Sequence, residues 1–125
     1  MDKFHLSWSC SPKGGSKKSD CWDDIGNLLN NLRSSSGCVT VDKLDDEGYL
    51  ISEVQARMEK GVYLVTFLNE DDEVITLSDL TQPNEMVLIL GDYWSAMQVT
   101  KDFDLVVRIF KEFFDTGNVS GNLLN

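Results

Sequence analysis

Histidine occurs once in this chain, at His5, and cysteine three times, at Cys10, Cys21 and Cys38, with no CxxC spacing. An odd, scattered set of thiols makes neither a disulfide framework nor a characteristic zinc site. It reads as reduced, small, partly buried residues in a reducing compartment. Long apolar runs are also missing. Nothing approaches the ~18 consecutive apolar residues of a transmembrane helix. The opening stretch "MDKFHLSWSCSPKGGSKK" lacks the apolar core of a secretory signal. A cytoplasmic protein is expected. Basic residues are scarce, 11 against 21 acidic ones, for a net charge of −10. Four of the basic ones fall in residues 1–19 beside a single aspartate, so residues 20–125 carry 7 basic and 20 acidic side chains. Nucleic acid and anionic membranes both demand a positive surface, so neither is an expected partner. The charge suits solubility and fast association with a basic protein.

Motifs for chemistry are equally sparse. No nucleophile elbow or phosphate loop is present: "KGG" and "SSSG" lack the strand–loop–helix frame. Aligning Gly48 with the glycine of a calcium loop puts Lys43 and Val54 where oxygen ligands belong. No metal and no cofactor are expected. "NVS" at 118–120 matches a glycosylation sequon, which has no meaning without a secretory signal. Paired carboxylates are plentiful but cluster in expected turns, where water keeps their pKa values ordinary. The one catalytic alternative is a dyad of His5 with Cys10 or Cys38. The main reading is a protein without enzymatic activity.

What is present is patterning. With 42% apolar and 26% charged residues, the 125 residues suit one domain with one core. Phe4, Leu6 and Trp8 alternate with polar residues as in a strand. Residues 9–19 read as a mobile loop. Residues 20–33 place Trp22, Ile25, Leu29 and Leu32 on one helical face, with Asp20 as the expected cap. From 38 to 99 the period becomes two. "CVTV" is a strand, and "YLISEVQARM" puts Leu50, Val54, Ala56 and Met58 inward, with Glu53, Gln55 and Arg57 outward. "VYLVTFL" and "MVLIL" are apolar on both faces, as buried strands are, and "YWSAMQV" reads as the final strand. Residues 100–117 form a helix with a stripe of Phe103, Val106, Val107, Phe110, Phe113 and Phe114, capped by Thr100 or Asp102 and ended by Gly117. Residues 118–125 are a tail whose Leu123 and Leu124 tuck back onto the domain. Short turns between strands imply an antiparallel meander. The expected fold is therefore α+β, a single antiparallel sheet of roughly five to seven strands with two helices packed on it.

Three acidic groups stand out: Asp20/Asp23/Asp24, Asp45/Asp46/Glu47 and Glu70/Asp71/Asp72/Glu73. The last two lie in turns of one meander. If alternate hairpin turns share a sheet end, they converge into a field that steers a basic partner. Asp45, Asp46, Glu47, Glu70, Asp71, Asp72 and Glu73 are thus the candidate partner-binding residues. Tyr49, Tyr93 and Trp94 flank turns and are candidate aromatic anchors.

Five stretches carry a family resemblance: "WDDIGNLLNNL", "GCVTV", "VQARMEKGVYLVTF", "VLILGDYW" and the closing "FKEFFDTGNVSGNLL". With them the chain resembles bacterial immunity proteins of polymorphic toxin systems, more narrowly those of contact-dependent growth inhibition near the immunity protein 1 family. The resemblance implies a cytoplasmic protein, a monomer or weak dimer, that binds one cognate toxin domain and blocks it. Such toxins are often nucleases with basic clefts. It assigns no binding residues, so the candidate site rests on charge. An acidic secretion chaperone for an effector protein is the alternative reading, and a small enzyme using His5 or a cysteine is the second.

Overall fold

The computed structural model describes residues 3–10, 13–19 and 21–124. Six strands form one sheet: β1 (Lys3–Cys10), β2 (Lys13–Lys18), β3 (Gly37–Leu44), β4 (Leu50–Glu59), β5 (Val62–Leu68) and β6 (Val74–Thr76). Their order is β2-β1-β3-β4-β5-β6, and every neighbouring pair is antiparallel. Helix α1 (Trp22–Leu32) links β2 to β3, and α2 (Phe103–Thr116) follows the sheet. The expected α+β architecture, one main antiparallel sheet with two helices packed on it, is the one observed.

Period-two patterning explains which face the helices cover. Val39 and Val41 on β3, Val54, Ala56 and Met58 on β4, and Tyr63, Val65 and Phe67 on β5 are all buried in one core. α1 brings Ile25, Leu29 and Leu32 to it, and α2 brings Phe103, Val106, Ile109, Phe110 and Phe113. Each large apolar side chain so buried contributes about 1.5–3 kcal/mol. Phe113 is the hub, with ring centroids 5.8 Å from Phe4 and 6.0 Å from Phe67. The Tyr63 hydroxyl donates to the Arg33 carbonyl at 2.6 Å, which ties the end of α1 to β5. Asp102 caps α2 by accepting from Leu105 N at 3.1 Å. Gly117 ends the helix at φ 77°, where a Cβ would also come 2.5 Å from Lys43 Nζ.

Several elements differ from the sequence reading. Residues 13–18 lie in the stretch expected to be a mobile loop, yet they form β2, paired with β1 from His5–Lys18 to Cys10–Lys13. The reason is close packing: a Cβ on Gly15 would come 2.6 Å from the Trp8 ring, so the glycines make room rather than slack. α1 begins at Trp22, with Cys21 at its N-cap and no side-chain cap bond. The expected cap, Asp20, lies outside the described residues. Leu50 is 48% exposed, since it lies beyond the β3–β4 register shift at Lys43/Leu44, while alternation brings Ser52 into the inward row, where its hydroxyl donates to the Gly117 carbonyl at 3.2 Å.

The sequence reading also continued the sheet through residues 86–99. Instead, β7 (Met86–Ile89) and β8 (Asp92–Ser95) form a separate hairpin. "MVLIL" is not apolar on two buried faces: Ile89 is buried while Met86 and Leu88 are exposed. "YWSAMQV" stops being a strand at Ser95, whose hydroxyl accepts from Met97 N and opens a 3-10 turn at Ala96–Gln98. The hairpin packs Val87, Ile89 and Trp94 on Val62, Leu64 and Val99, which covers part of the face opposite the helices. The tail does tuck back: Val119 and Leu124 are buried, and a short helix α3 (Gly121–Leu124) accepts from Ser78 N through the Leu124 carbonyl.

Candidate functional site

Antiparallel order puts the β3–β4 and β5–β6 connections at the same end of the sheet. The two acidic turns therefore share one end, and they are built alike. Asp45 Oδ1 accepts from the backbone N–H of Glu47 and of Tyr49, both at 2.9 Å. Asn69 Oδ1 accepts from Asp71 N at 2.9 Å and Glu73 N at 3.0 Å. Each turn closes through a bond from its third-following residue, Gly48 N to Asp45 O and Asp72 N to Asn69 O. Each places that residue at positive φ, 91° for Gly48 and 62° for Asp72. This is a type I turn followed by a left-handed residue, and a side-chain carboxylate or amide at its first position fixes it.

The consequence for the candidate residues is specific. Asp45 uses one carboxylate oxygen to hold its own turn. Asp46, Glu47, Glu70, Asp71, Asp72 and Glu73 are exposed. Lys43 lies beside both turns. Its side chain is 12% exposed, and its ammonium reaches Glu70 Oε1 at 3.6 Å. The α1 acids sit at the same end, since α1 starts where β2 finishes, and Asp24 pairs with Lys17 at 3.1 Å. Of the expected aromatic anchors, Tyr49 and Tyr93 are 69% and 70% exposed, and Trp94 is half-buried on the inner side of the hairpin.

A second constellation lies on the sheet face away from the helices. Register aligns His5, Asp42 and Glu53 across β1, β3 and β4, with Ser7, Thr40 and Gln55 in the next row and Ser9, Cys38 and Arg57 in the third. Gln55 Nε2 donates to Thr40 Oγ1 at 3.1 Å. The Arg57 guanidinium stands 5.9 Å from the Trp94 ring centroid. Asp42 Oδ1 is buried without a hydrogen-bond partner. Burial, and then the hydrogen bond and charge of Asp42, push the Glu53 carboxyl up to about 7. Glu53 therefore keeps its proton well above the ordinary carboxyl range. Carboxylates cluster in the turns as expected, but this pair lies outside them, on paired strands. The alternation of "VTVDKL" and "ISEVQ" about the Asp45 turn was the signal that places Asp42 and Glu53 side by side.

The His5–cysteine dyads are not assembled. Cys38 pairs with Ser9, four residues along β3 from the His5 partner Asp42, which is about 13 Å of strand. Burial pushes the Cys38 thiol up, away from the thiolate that a nucleophile requires. Cys10 lies five residues beyond His5 on β1. A cavity of about 410 Å³ opens between the start of β5 and the hairpin, lined in part by Asp79, Gln82, Glu85, Val99 and Lys101, with no histidine or cysteine. Among the described residues, no group of three His, Cys, Asp or Glu is placed to hold a metal ion, and no helix is long and apolar enough to cross a membrane.

The chain belongs to the family of unknown function DUF6911, whose family model matches residues 5–123. Its fold is similar to the crystal structure of a hypothetical protein from Neisseria gonorrhoeae, with a TM-score of 0.72 and 17% identity over 97% of this chain and 92% of that one. At that identity the likeness speaks to the fold. No curated protein matches the chain.

Proposed function

We propose that this DUF6911 chain is an immunity protein, which binds a basic toxin domain one to one in the cytoplasm and blocks it without chemistry of its own. One observation supports the reading above all: two acidic turns of the same build stand at one end of the sheet. Each turn is held by a side chain at its first position, so little ordering entropy is lost when a partner docks. Together they project a negative field that raises the encounter rate with a nuclease-like basic cleft. Lys43 beneath them offsets part of the repulsion in the free protein.

The test is charge reversal at exposed positions, with Asp46, Glu47, Glu70 and Asp71 all replaced by lysine. Association with a basic nuclease-type toxin domain, sought in the neighbouring reading frames, is then followed as a function of salt. The expected result is an on-rate at least about tenfold slower at low salt, with a flattened salt dependence. Unaltered kinetics and salt slope remove these turns from the interface.

A further inference from the structure

Glu85, which leads into β7, and Lys101, which follows the 3-10 turn, both line the cavity of about 410 Å³ between the hairpin and the start of β5. Backbone bonds fix both of these walls. Ala96 N donates to the Glu85 carbonyl at 2.8 Å, which holds residue 85 to the start of the 3-10 turn. Tyr63 and Thr100 exchange two backbone bonds, at 2.8 and 2.9 Å, which anchor the residue before Lys101 to β5. Residues 96–100 thus run from the carboxylate wall to the ammonium wall. Ala96 and Val99, both buried, form the floor between the two, and Val62 and Val87 extend it.

The charges differ in what they are free to do. Asp79, also at the cavity, accepts from Thr81 N, Thr81 Oγ1 and Gln82 Nε2, so its carboxylate is committed to its own turn. Among the described residues, neither the Glu85 nor the Lys101 side chain forms an ion pair or a hydrogen bond. The cavity therefore presents one free carboxylate, one free ammonium and an aliphatic floor, in a volume within the ~300–1,000 Å³ typical of small-molecule sites. A ligand with an amine alone leaves Lys101 unanswered, and one with an acid alone is repelled by Glu85. No aromatic ring lines the cavity to stack on a planar ligand. We infer that this cavity binds a free aliphatic α-amino acid of about leucine's size, its ammonium on Glu85, its carboxylate on Lys101 and its side chain on Val62, Val87, Ala96 and Val99. The cavity lies at the end of β5 away from the acidic β5–β6 turn. The inference therefore goes beyond the toxin reading and stands without it.

The experiment titrates the isotope-labelled full chain with L-leucine and follows the backbone amides by NMR. The expected result is saturable shifts confined to residues 62, 82–87 and 96–101, with a Kd of about 1 mM or tighter. L-Leucinamide lacks the carboxylate and 4-methylpentanoate lacks the ammonium, and each is expected to bind at least about fivefold more weakly. Glu85→Gln weakens leucine by a similar factor without weakening 4-methylpentanoate. Lys101→Met weakens leucine without weakening leucinamide. Both positions are exposed, so both variants keep the fold, which their amide spectra check. No shift at about tenfold that concentration, shifts centred elsewhere, either analogue binding as well as leucine, or either variant binding leucine like wild type overturns the inference.

Discussion

Asp42 and Glu53 stand directly opposite each other on β3 and β4, with one Asp42 oxygen buried and unpartnered and the Glu53 carboxyl shifted up to about 7. Two carboxylates side by side repel, and a proton kept on Glu53 removes the repulsion. Between the ordinary value of 4.5 and about 7, the folded chain binds more proton than the unfolded one. Stability is thus greatest on the acid side of this window and falls as pH rises through 7. The pair is partly solvated, so the loss is on the order of 1 kcal/mol. Urea melts at pH 5.5 and 8.5 measure it, and Glu53→Gln is expected to abolish the difference. A pH-independent wild type, or a Gln variant with the same slope, contradicts the raised Glu53 carboxyl.

Phe113 is fully buried against Phe4 and Phe67. Phe113→Ala is expected to cost about 3–5 kcal/mol, a large share of the ~5–15 kcal/mol that holds a domain folded. Calorimetry of the variant reads this as a melting point lowered well beyond that of a surface control such as Arg108→Ala.

The two acidic turns depend on Asp45 and Asn69. Asn69→Ala removes an acceptor for two backbone N–H groups and is expected to destabilise by about 1 kcal/mol. Asp45→Ala is expected to do the same. Hydrogen exchange at residues 70–73 and 46–49 distinguishes the two, since each variant loosens its own turn. Loosening spread evenly over the sheet would show that the side chains do not define the turns.

Gly117→Ala meets both a positive φ and Lys43. The expected loss is about 1–2 kcal/mol, from strain in the left-handed region and displacement of the lysine. An alanine variant as stable as wild type would mean that the α2 end relaxes freely.

Cys21 is exposed, whereas the Cys38 thiol is partly buried and shifted upward. In a Cys10→Ser background at pH 7.5, a disulfide reagent is expected to modify Cys21 promptly and Cys38 slowly until denaturant is added. Equal rates in the folded protein rule out the burial of Cys38 in solution.

Local chemistry was legible wherever a short stretch decides its own conformation. The phenylalanine stripe of α2 and its Gly117 terminus were readable, and its cap was narrowed to Thr100 or Asp102, because a helix needs only near neighbours. So was the inward row of Val54, Ala56 and Met58, and so were the acidic turns. The site was legible in part. The acidic residues were visible as clusters, while the distinct role of Asp45 became apparent only when its oxygen was seen accepting two N–H groups.

Composition and periodicity by themselves determined the α+β class, the sign of the surface and the positions of most strands and both main helices. Tertiary structure alone decided that Gly14 and Gly15 lie in a strand against β1, that residues 86–95 leave the main sheet, and that Asp42 meets Glu53. The physical reason is common to all three. Alternation gives a strand two faces but does not say what covers each one, and that depends on residues far away in the chain, such as Trp8 over Gly15 or Leu64 under Ile89.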